Sequence, residues 1–388
     1  MPNDQTDDPT AAQILDTVDR FVRERLEPRA AGIDATDEFP RDLYREAADL
    51  GLLALAIPEA YGGVAVSLRT RFTVIERLTR SSASFGLIVA SCPDSALPID
   101  LGGCDEIKRE VLPRLASGEW IPAFALSEPG AGSDAAAITT TARRDGDDYV
   151  IDGVKAWCTQ GSIADVITVF AKTDPDAGHK GISAFLVRRG TPGFAVVRDE
   201  ELTGLRGAPQ SQLRFEGARV PASARLGEEG DGFRFAMLAL DEARLNASAQ
   251  GLGVAHRCLT ESIAYAKERR AFGKPIIEHQ GIAFLLAGLA TEYGAARALW
   301  LEAIAELARG RSRKASAFAS MAKNACTDLG MKAPIEAMQV FGAAGLSRGL
   351  PLERMMRDAK AFQIFDGPTQ IHNMIIGRHL AREGLPWE

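Results

Sequence analysis

The hydrophobic period of this 388-residue chain changes twice, and this change restricts the fold more than any other feature of the sequence. Residues 11–120 carry apolar side chains at three- and four-residue spacings, which is typical of amphipathic helices. Residues 121–232 contain short β-prone segments separated by turns, and from about residue 233 the helical period returns. The order all-α, all-β, all-α predicts a multidomain α+β protein.

The predicted domains follow from these changes of period. The first helical region begins with AAQILDTVDRFVRERL, and its apolar stripe consists of Ile14, Val18, Phe21, Val22 and Leu26. Pro58 and the AYGG sequence at 60–63 interrupt the helical pattern that follows. We expect an N-terminal helical domain at 1–120, a central antiparallel β domain at 121–232 and a C-terminal helical domain at 233–388.

The central region is rich in strand and turn signals. The segments DVITVFAK, ISAFLV, FAVV and QLRF combine β-branched and aromatic residues and are predicted to be strands. An Asp-Gly pair occurs at 145–146 and again at 152–153. Within YVIDGVKAW, we predict that Asp152 and Gly153 form a type I′ hairpin turn, because this pair suits the positive φ angles of that turn.

Composition restricts the environment and the partners. The net charge is −7, which argues against nucleic acid as the main partner. The five cysteines are widely spread without C-x-x-C pairs, and this indicates a reducing compartment without a zinc framework. The acidic N-terminus lacks the basic and apolar segments of a secretory signal, and no apolar run approaches about 18 residues. We therefore expect a cytoplasmic protein that binds no membrane and no metal.

One glycine-rich stretch, ALSEPGAGSDAA at 125–136, has the spacing of a dinucleotide-binding fingerprint. Gly130, Gly132 and Ala135 form G-x-G-x-x-A, and Asp152 follows at a suitable distance. That fingerprint requires a strand before and a helix after the glycines. Because a short β-branched segment follows instead, the Rossmann interpretation fails. A flexible surface turn and a nest of backbone N–H groups around a phosphate remain as interpretations.

Four segments, taken together, resemble the acyl-CoA dehydrogenase family. They are FALSEPGAGSD at 124–134, GVKAWCTQG at 153–161, ERRAFGKPIIEHQ at 268–280, and QVFGAAG and LPLERMMRDAKAFQIFDGPTQIH within 339–372. The match covers about residues 11–385 in the expected order. The resemblance implies an N-terminal helical domain, a central β domain and a C-terminal four-helix bundle. It also implies an FAD cofactor, an acyl-CoA substrate and a homotetramer or homodimer.

The resemblance also implies which residues contact FAD. Trp157 matches the ring that packs on the flavin, and Arg269 and Gln339 match contacts to the FAD of a neighbouring subunit. Cys158 and Ala343 depart from the residues that the family often has. The complete set is Phe124, Leu126, Ser127, Gly132, Ser133, Trp157, Thr159, Arg269, Phe272, Gln280, Gln339, Gly342, Ala343, Pro368, Thr369 and Gln370.

Taken without the family, each of these motifs has an ordinary structural interpretation. Trp157 would be a cross-strand core aromatic residue. The charged run 267–270 would be a solvated helix face, and FGAAG would be a helix C-terminus.

For the substrate, the resemblance implies contacts from Ser133, Asp241, Arg244, Gly367 and Arg378. Dehydrogenation of a thioester removes a weakly acidic α-proton, so a carboxylate must lie within hydrogen-bond reach of it. The family has a glutamate in a Y-E-G-x-x-Q pattern, and the corresponding FDGPTQ places Asp366 at that position. The resemblance therefore implies that Asp366 is the base. Taken alone, Asp366 would be a turn or helix-capping residue before a proline.

Some branches of the family carry the base on the helix that contains LDEAR, where this chain has Ala243. Glu242 is adjacent, but one residue corresponds to about 100° around a helix, so it would point away. Asp366 is thus the remaining candidate. Because Asp is shorter than Glu and catalysis is sensitive to misplacement of about 1 Å, a branched, cyclic or otherwise unusual acyl group is favoured.

Alternatives to a dehydrogenase come from other classes on the same fold. The leading interpretation passes electrons to an electron-transferring flavoprotein. A nitroalkane oxidase-like enzyme would use the same Asp with oxygen, although the arginine that supports that Asp is replaced by Asn373. A DNA-binding relative is the third class, and the acidic net charge and Asp366 speak against it.

Overall fold

The computed structural model describes residues 9–387, and its first region is helical as predicted. Val18, Phe21 and Leu26 of the predicted stripe are buried. A π-helical turn, Val22–Leu26, joins the first two helices without a break. The helices are α1 Pro9–Phe21, α2 Glu27–Thr36, α3 Arg41–Asp49, α4 Leu68–Thr79, α5 Ala83–Gly102 and α6 Asp105–Ala116. The first eight residues of the acidic N-terminal segment lie outside the described part.

Helix α5 passes through the interior of the molecule. It begins at Ser82, whose hydroxyl accepts a hydrogen bond from the backbone N–H of Phe85 at 3.3 Å. It contains two prolines, Pro93 and Pro98, and most of its side chains are buried. It packs against α4, against the first strand and against the long helix that follows the sheet. Helix α5 thus connects the three regions.

The central region is a single eight-stranded sheet, with strand order β6-β7-β3-β2-β4-β5-β8 and with β1 paired to β4. The predicted segments all form strands. Most pairs are antiparallel, but β1 pairs with β4 in parallel, because the chain passes through β2 and β3 before it returns beside β1. The strands are β1 Pro122–Ala125, β2 Thr141–Asp145, β3 Asp148–Thr159, β4 Val166–Lys172, β5 Ile182–Arg188, β6 Phe194–Asp199, β7 Gln210–Pro221 and β8 Arg225–Leu226.

The predicted hairpin turn at Asp152 and Gly153 is wrong. Both residues lie inside β3, where the pairing with β7 has an irregularity. The turn between β2 and β3 is instead at the other Asp-Gly pair, because Asp145 pairs with Asp148. A Cβ on Gly153 would lie 2.4 Å from the Thr140 hydroxyl oxygen, so a close tertiary contact explains this glycine.

The described part of the C-terminal region, up to residue 387, contains five α-helices, and α9 packs against the other four. Gly330 of α9 approaches Gly251 of α7 so closely that a Cβ on Gly330 would lie 2.7 Å from the Gly251 Cα. A short hairpin, β9 Arg270–Ala271 and β10 Lys274–Pro275, separates α7 from α8. The helices are α7 Gly232–Glu268, α8 Gln280–Arg309, α9 Arg313–Phe341, α10 Leu352–Phe362 and α11 Thr369–Glu383.

Helix α8 leaves much of its apolar surface uncovered. Among residues 9–387 it is the one helix that is long and apolar enough to cross a membrane by length and composition, and only 17% of its apolar window is buried. Phe284, near its beginning, is 68% exposed. The single chain therefore presents an apolar helix face, although no long apolar run was expected from the sequence.

Candidate active site

A buried ion pair fixes the loop that follows β1. The Lys155 amine, on β3, donates a hydrogen bond to the Leu126 carbonyl oxygen at 3.0 Å and another to the Glu128 carboxylate at 2.9 Å. Glu128 also accepts hydrogen bonds from the backbone N–H groups of Thr139 and Thr140 at 2.7 and 2.9 Å. One lysine and one glutamate thus tie together both ends of the glycine-rich stretch.

The environment keeps the Glu128 carboxylate charged. Burial opposes ionisation of Glu128, but the Lys155 charge and the hydrogen bonds from Lys155, Thr140 and Thr139 outweigh it and lower the pKa of Glu128 to about 2. Burial lowers the pKa of the Lys155 amine, and the Glu128 carboxylate opposes that fall. At neutral pH the carboxylate is ionised and satisfied by four donors, one of them the Thr139 hydroxyl.

The predicted flavin-ring residues lie on the adjoining ends of β1 and β3. The Ala156 backbone N–H donates to the Ser127 carbonyl oxygen at 2.9 Å, which joins the loop to β3. Trp157 has a positive φ of 59° and is 59% exposed, so the interpretation of a core aromatic residue is wrong. The Thr159 hydroxyl donates to Gln210 at 3.0 Å, and the Phe124 ring packs on Phe170 at 4.8 Å.

Nothing in the described residues requires glycine at positions 130 and 132 of the loop. Neither Gly130 nor Gly132 has a positive φ, and a Cβ on either would meet no atom within 4 Å. Ser133 is also exposed. The loop forms a tight turn after Glu128, and no βαβ unit follows it. An exposed turn with free backbone and an exposed indole beside it fits a bound dinucleotide such as FAD.

The predicted base lies in a tight turn before α11. Asp366 and Gly367 have consecutive positive φ values of 53° and 98°. The N-terminal capping position of α11 is Pro368, so Asp366 does not cap this helix. Burial raises the pKa of Asp366 to about 6, and the charges of Lys323 and Arg244 act against this rise. Asp366 is thus a half-buried carboxylate with increased basicity.

Two predicted substrate residues lie close to this turn. The Arg244 guanidinium donates to the Asp241 carboxylate at 2.6 Å, and the Ser316 hydroxyl donates to the same carboxylate at 3.0 Å. Glu242 is ion-paired with Arg71 and with Arg311. Since Glu242 is already held by two arginines, it is not available as a base, in agreement with the sequence argument.

A second buried carboxyl group lies near the base. Asp94 of α5 has a buried Oδ1 atom that has no hydrogen-bond partner among the described residues. Burial raises the pKa of Asp94 well above its usual range, and the charges of Asp366 and Glu242 raise it further, whereas Arg71 lowers it. Because like charges in one site oppose each other, an ionised Asp366 favours the protonated form of Asp94.

Six of the predicted FAD residues form a separate group at the end of the helical bundle where α7 and α9 end. Tyr265 of α7 stacks on Phe341 of α9 with ring centroids 4.1 Å apart. This stacking brings the Arg269 and Gln339 motifs to the same end. Phe272 has a φ of 49° and is 96% exposed. The other exposed members are Arg269, Gln280, Gln339, Gly342 and Ala343.

Around the base turn, the last predicted residues lie on α11 or just before it. Pro368 and Thr369 are half-buried, whereas Gln370 and Arg378 are exposed. The structure therefore arranges the predicted residues in three groups: the β1–β3 edge, the Asp366 turn with Asp241 and Arg244, and the exposed bundle end.

Sequence reasoning missed several residues that support these groups. Lys155 and Glu128 lie inside the motifs but had no assigned role, and Asp94 was passed over within an apolar segment. Lys323 donates to the Gly367 carbonyl oxygen at 2.7 Å. A helical period would have placed Lys323 on the same face of α9 as Ser320, because they are three residues apart.

Comparisons with known proteins agree with this architecture. The acyl-CoA dehydrogenase N-terminal, middle and C-terminal domain families match residues 8–119, 123–218 and 230–381. Cyclohex-1-ene-1-carbonyl-CoA dehydrogenase of Geobacter metallireducens is 42% identical over 370 residues, covering 94% of this chain and 96% of that one. Cyclohexane-1-carbonyl-CoA dehydrogenase of the same organism is 39% identical over 371 residues, covering 95% and 97%.

The fold comparison gives the same result. Butyryl-CoA dehydrogenase of Megasphaera elsdenii has a TM-score of 0.94 and 33% identity, and the match covers 98% of this chain and 100% of that one. Members of this family are FAD-dependent oxidoreductases, and the loop and indole described above fit that cofactor. The chain belongs to the acyl-CoA dehydrogenase family.

Proposed function

We propose that this enzyme dehydrogenates a cyclic or otherwise unusual acyl-CoA thioester between Cα and Cβ, with Asp366 as the acceptor of the α-proton. The observation that carries the proposal is the position of Asp366. It is a half-buried carboxylate in a strained turn, its pKa is raised to about 6, and two cations lie near it. A base of this strength remains ionised at neutral pH and still accepts a proton readily.

The chain's own residues perform the proton transfer and the positioning. Asp366 takes the α-proton, and Arg244, fixed by Asp241 and Ser316, supplies positive charge beside the reacting carboxylate. FAD, held by the residues of the β1–β3 edge, would supply the hydride acceptor for the Cβ hydrogen. Trp157 and Thr159 would lie beside the bound flavin ring and shield that face from water.

The acyl group is proposed from the chemistry of the base and from the relatives. A cyclohexane-1-carbonyl thioester keeps a hydrogen on its α-carbon, so it suits a base placed at Cα. A cyclohex-1-ene-1-carbonyl thioester has no hydrogen there, so a base would have to reach further along the ring. The saturated ring is therefore the first substrate to test.

The exposed bundle end supports an oligomer. Phe272 and the apolar face of α8 are exposed in the single chain. Exposed apolar surfaces of this kind often mark an interface with another protein subunit. We propose a homotetramer or homodimer in which Arg269 and Gln339 reach the FAD of a neighbouring subunit. An electron-transferring flavoprotein is the proposed electron acceptor, and the cytoplasm is the proposed location.

The test is flavin reduction in stopped flow with a panel of straight-chain, cyclohexane-carbonyl and cyclohexene-carbonyl thioesters. Asp366→Asn keeps the size of the side chain and removes the basic oxygen, so reduction should fall by about 10²–10⁴-fold with unchanged FAD content. Asp94→Asn is the matched control: burial and the charge of Asp366 both favour the uncharged form of this carboxyl group, so its replacement should change the rate only slightly. If Asp94→Asn loses flavin reduction while Asp366→Asn reduces its flavin at the wild-type rate, the base is Asp94 and not Asp366.

The oxidase alternative is separated by the electron acceptor. A dehydrogenase should react slowly with oxygen after its flavin is reduced. Rapid oxygen consumption with nitroethane, lost in Asp366→Asn, would assign the enzyme to the nitroalkane oxidase class instead.

A further inference from the structure

Within the described residues, Lys323 is the buried cation that donates a hydrogen bond to the turn of the proposed base. Its side chain, on α9, is completely buried. The amine donates a hydrogen bond to the Gly367 carbonyl oxygen at 2.7 Å. Buried lysines are rare and are normally paired with a carboxylate. In residues 9–387 the hydrogen-bond partner of this amine is a neutral carbonyl group next to Asp366. Lys323 therefore does not form the hydrogen-bonded ion pair that is usual for a buried lysine.

The base turn is held between two helices. A Cβ on Gly367 would lie 3.2 Å from the His372 imidazole of α11, which closes the turn on one side. The same imidazole is within 3.3 Å of the Ser320 hydroxyl of α9. Lys323 closes the turn from α9, one helical turn beyond Ser320. The hydrogen bond from Lys323 to the Gly367 carbonyl thus contacts the turn from α9, while His372 packs against it from α11.

The charged and titratable groups near Asp366 come from four helices. They are Lys323 on α9, Arg244 on α7, Asp94 on α5 and His372 on α11. Burial lowers the pKa of His372 to about 3, and the charges of Lys323 and Arg244 add to this fall, so the imidazole is neutral. The charge of Asp366 favours the protonated form of Asp94. Within residues 9–387, Lys323 and Arg244 are therefore the groups whose charges stabilise the Asp366 carboxylate.

These two cations are not equivalent. Arg244 is bonded to Asp241, and its charge is partly neutralised by that carboxylate at 2.6 Å. Lys323 donates to a neutral carbonyl, so its charge acts on Asp366 without a competing hydrogen-bonded anion. Burial lowers the pKa of Lys323 to about 8, and the Asp366 carboxylate opposes this fall, so the amine is charged at neutral pH.

We infer that Lys323 is a positioning residue for proton transfer: it holds the Asp366–Gly367 turn through the Gly367 carbonyl and keeps the Asp366 carboxylate ionised at neutral pH. The inference rests on the proposed function, because it requires Asp366 to be the proton acceptor.

The experiment measures the pH dependence of flavin reduction in the FAD-loaded enzyme, with a cyclohexane-carbonyl thioester or whichever panel member reduces the wild-type flavin. Three variants separate the two roles. Lys323→Met removes the charge and the donor, Lys323→Gln removes the charge and keeps a donor, and Lys323→Arg keeps both.

Loss of the Lys323 charge should shift the low-pH limb of the rate profile to higher pH by roughly one unit or more. The reason is that a nearby opposite charge typically lowers a carboxyl pKa by about 1–3 units. At pH 7 the rate of Lys323→Met and Lys323→Gln should fall by about 2-fold for a shift of one unit and by about 10-fold for a shift of two units, and it should recover at higher pH. Lys323→Arg should keep the wild-type limb. Lys323→Met should also have a lower limiting rate at high pH than Lys323→Gln, because the Gly367 carbonyl has lost its donor.

A limb that coincides with wild type in Lys323→Gln would overturn the inference, as would a loss by the same factor at every pH. Should Lys323→Met fail to retain FAD, the comparison of Lys323→Gln with Lys323→Arg still decides the charge effect. Asp366→Asn separates the two proposals. If that variant loses reduction while the limb of Lys323→Gln is unmoved, only the inference fails. If Asp366→Asn reduces its flavin at the wild-type rate, both fail.

Discussion

Removing Lys155 should destabilise the flavin loop by a predictable amount. The fall of the Glu128 pKa from 4.5 to about 2 corresponds to about 3 kcal/mol of stability at neutral pH. Lys155→Met leaves a buried carboxylate without its cation, and breaking a buried pair in this way typically costs about 3–5 kcal/mol. We therefore expect about 3 kcal/mol lower stability and a weaker hold on FAD.

The measurement is urea unfolding at pH 7, followed by far-UV circular dichroism, together with the FAD content of the purified protein. The double variant Lys155→Met with Glu128→Gln is the matched control. It removes both charges and leaves one glutamine oxygen, which can replace one of the two carboxylate oxygens that accept from the Thr139 and Thr140 backbone N–H groups. The double variant should therefore recover part of the stability that the single variant loses.

The pH dependence gives an independent check of the sign. Because the pKa of Glu128 is lowered on folding, its contribution is complete above about pH 4.5 and is lost as the pH falls through about 2. Lys155→Met should lose stability mainly above this window and converge with wild type below it. A single variant that unfolds within about 0.5 kcal/mol of wild type at pH 7 would refute the reasoning, since changes of that size are typical of neutral surface sites.

Two further predictions concern helix packing and the exposed bundle end. Gly330→Ala should destabilise by about 1–3 kcal/mol in thermal unfolding, because its Cβ would lie 2.7 Å from the Gly251 Cα. Gly32→Ala in α2, where an added Cβ meets nothing within 4 Å, should be neutral or stabilising by up to about 1 kcal/mol. Arg269→Ala should leave stability nearly unchanged and reduce FAD retention on dialysis. Unchanged FAD affinity would remove Arg269 from the site.

The sequence predicted the elements well where local pattern decides them. The helical stripe around Phe21 and the strands around Phe170 and Phe185 follow from hydrophobic period alone. The turn at Asp152 and Gly153 was mispredicted because an Asp-Gly pair is equally compatible with an irregular position inside a strand. The contact that decides between them comes from Thr140, which no local pattern reveals.

The candidate site divides in the same way. The position of Asp366 could be read from its motif, but its environment could not. Lys323, Arg244 and Asp94 lie 43, 122 and 272 residues before Asp366 in the sequence, so only the fold brings their charges together. The exposure of Trp157 was also unpredictable, because it depends on a positive φ within β3 rather than on strand alternation.

The left-handed residues of the site have a consequence for engineering. Six non-glycine residues within 9–387 have a positive φ, and Trp157, Phe272 and Asp366 are three of them. Each such conformation costs roughly 1–3 kcal/mol. A selection for heat tolerance alone would therefore favour glycine at these three positions and discard the indole, the phenyl ring and the carboxylate together. Thermostable variants of this enzyme should be sought by mutating other positions, with turnover measured in every round.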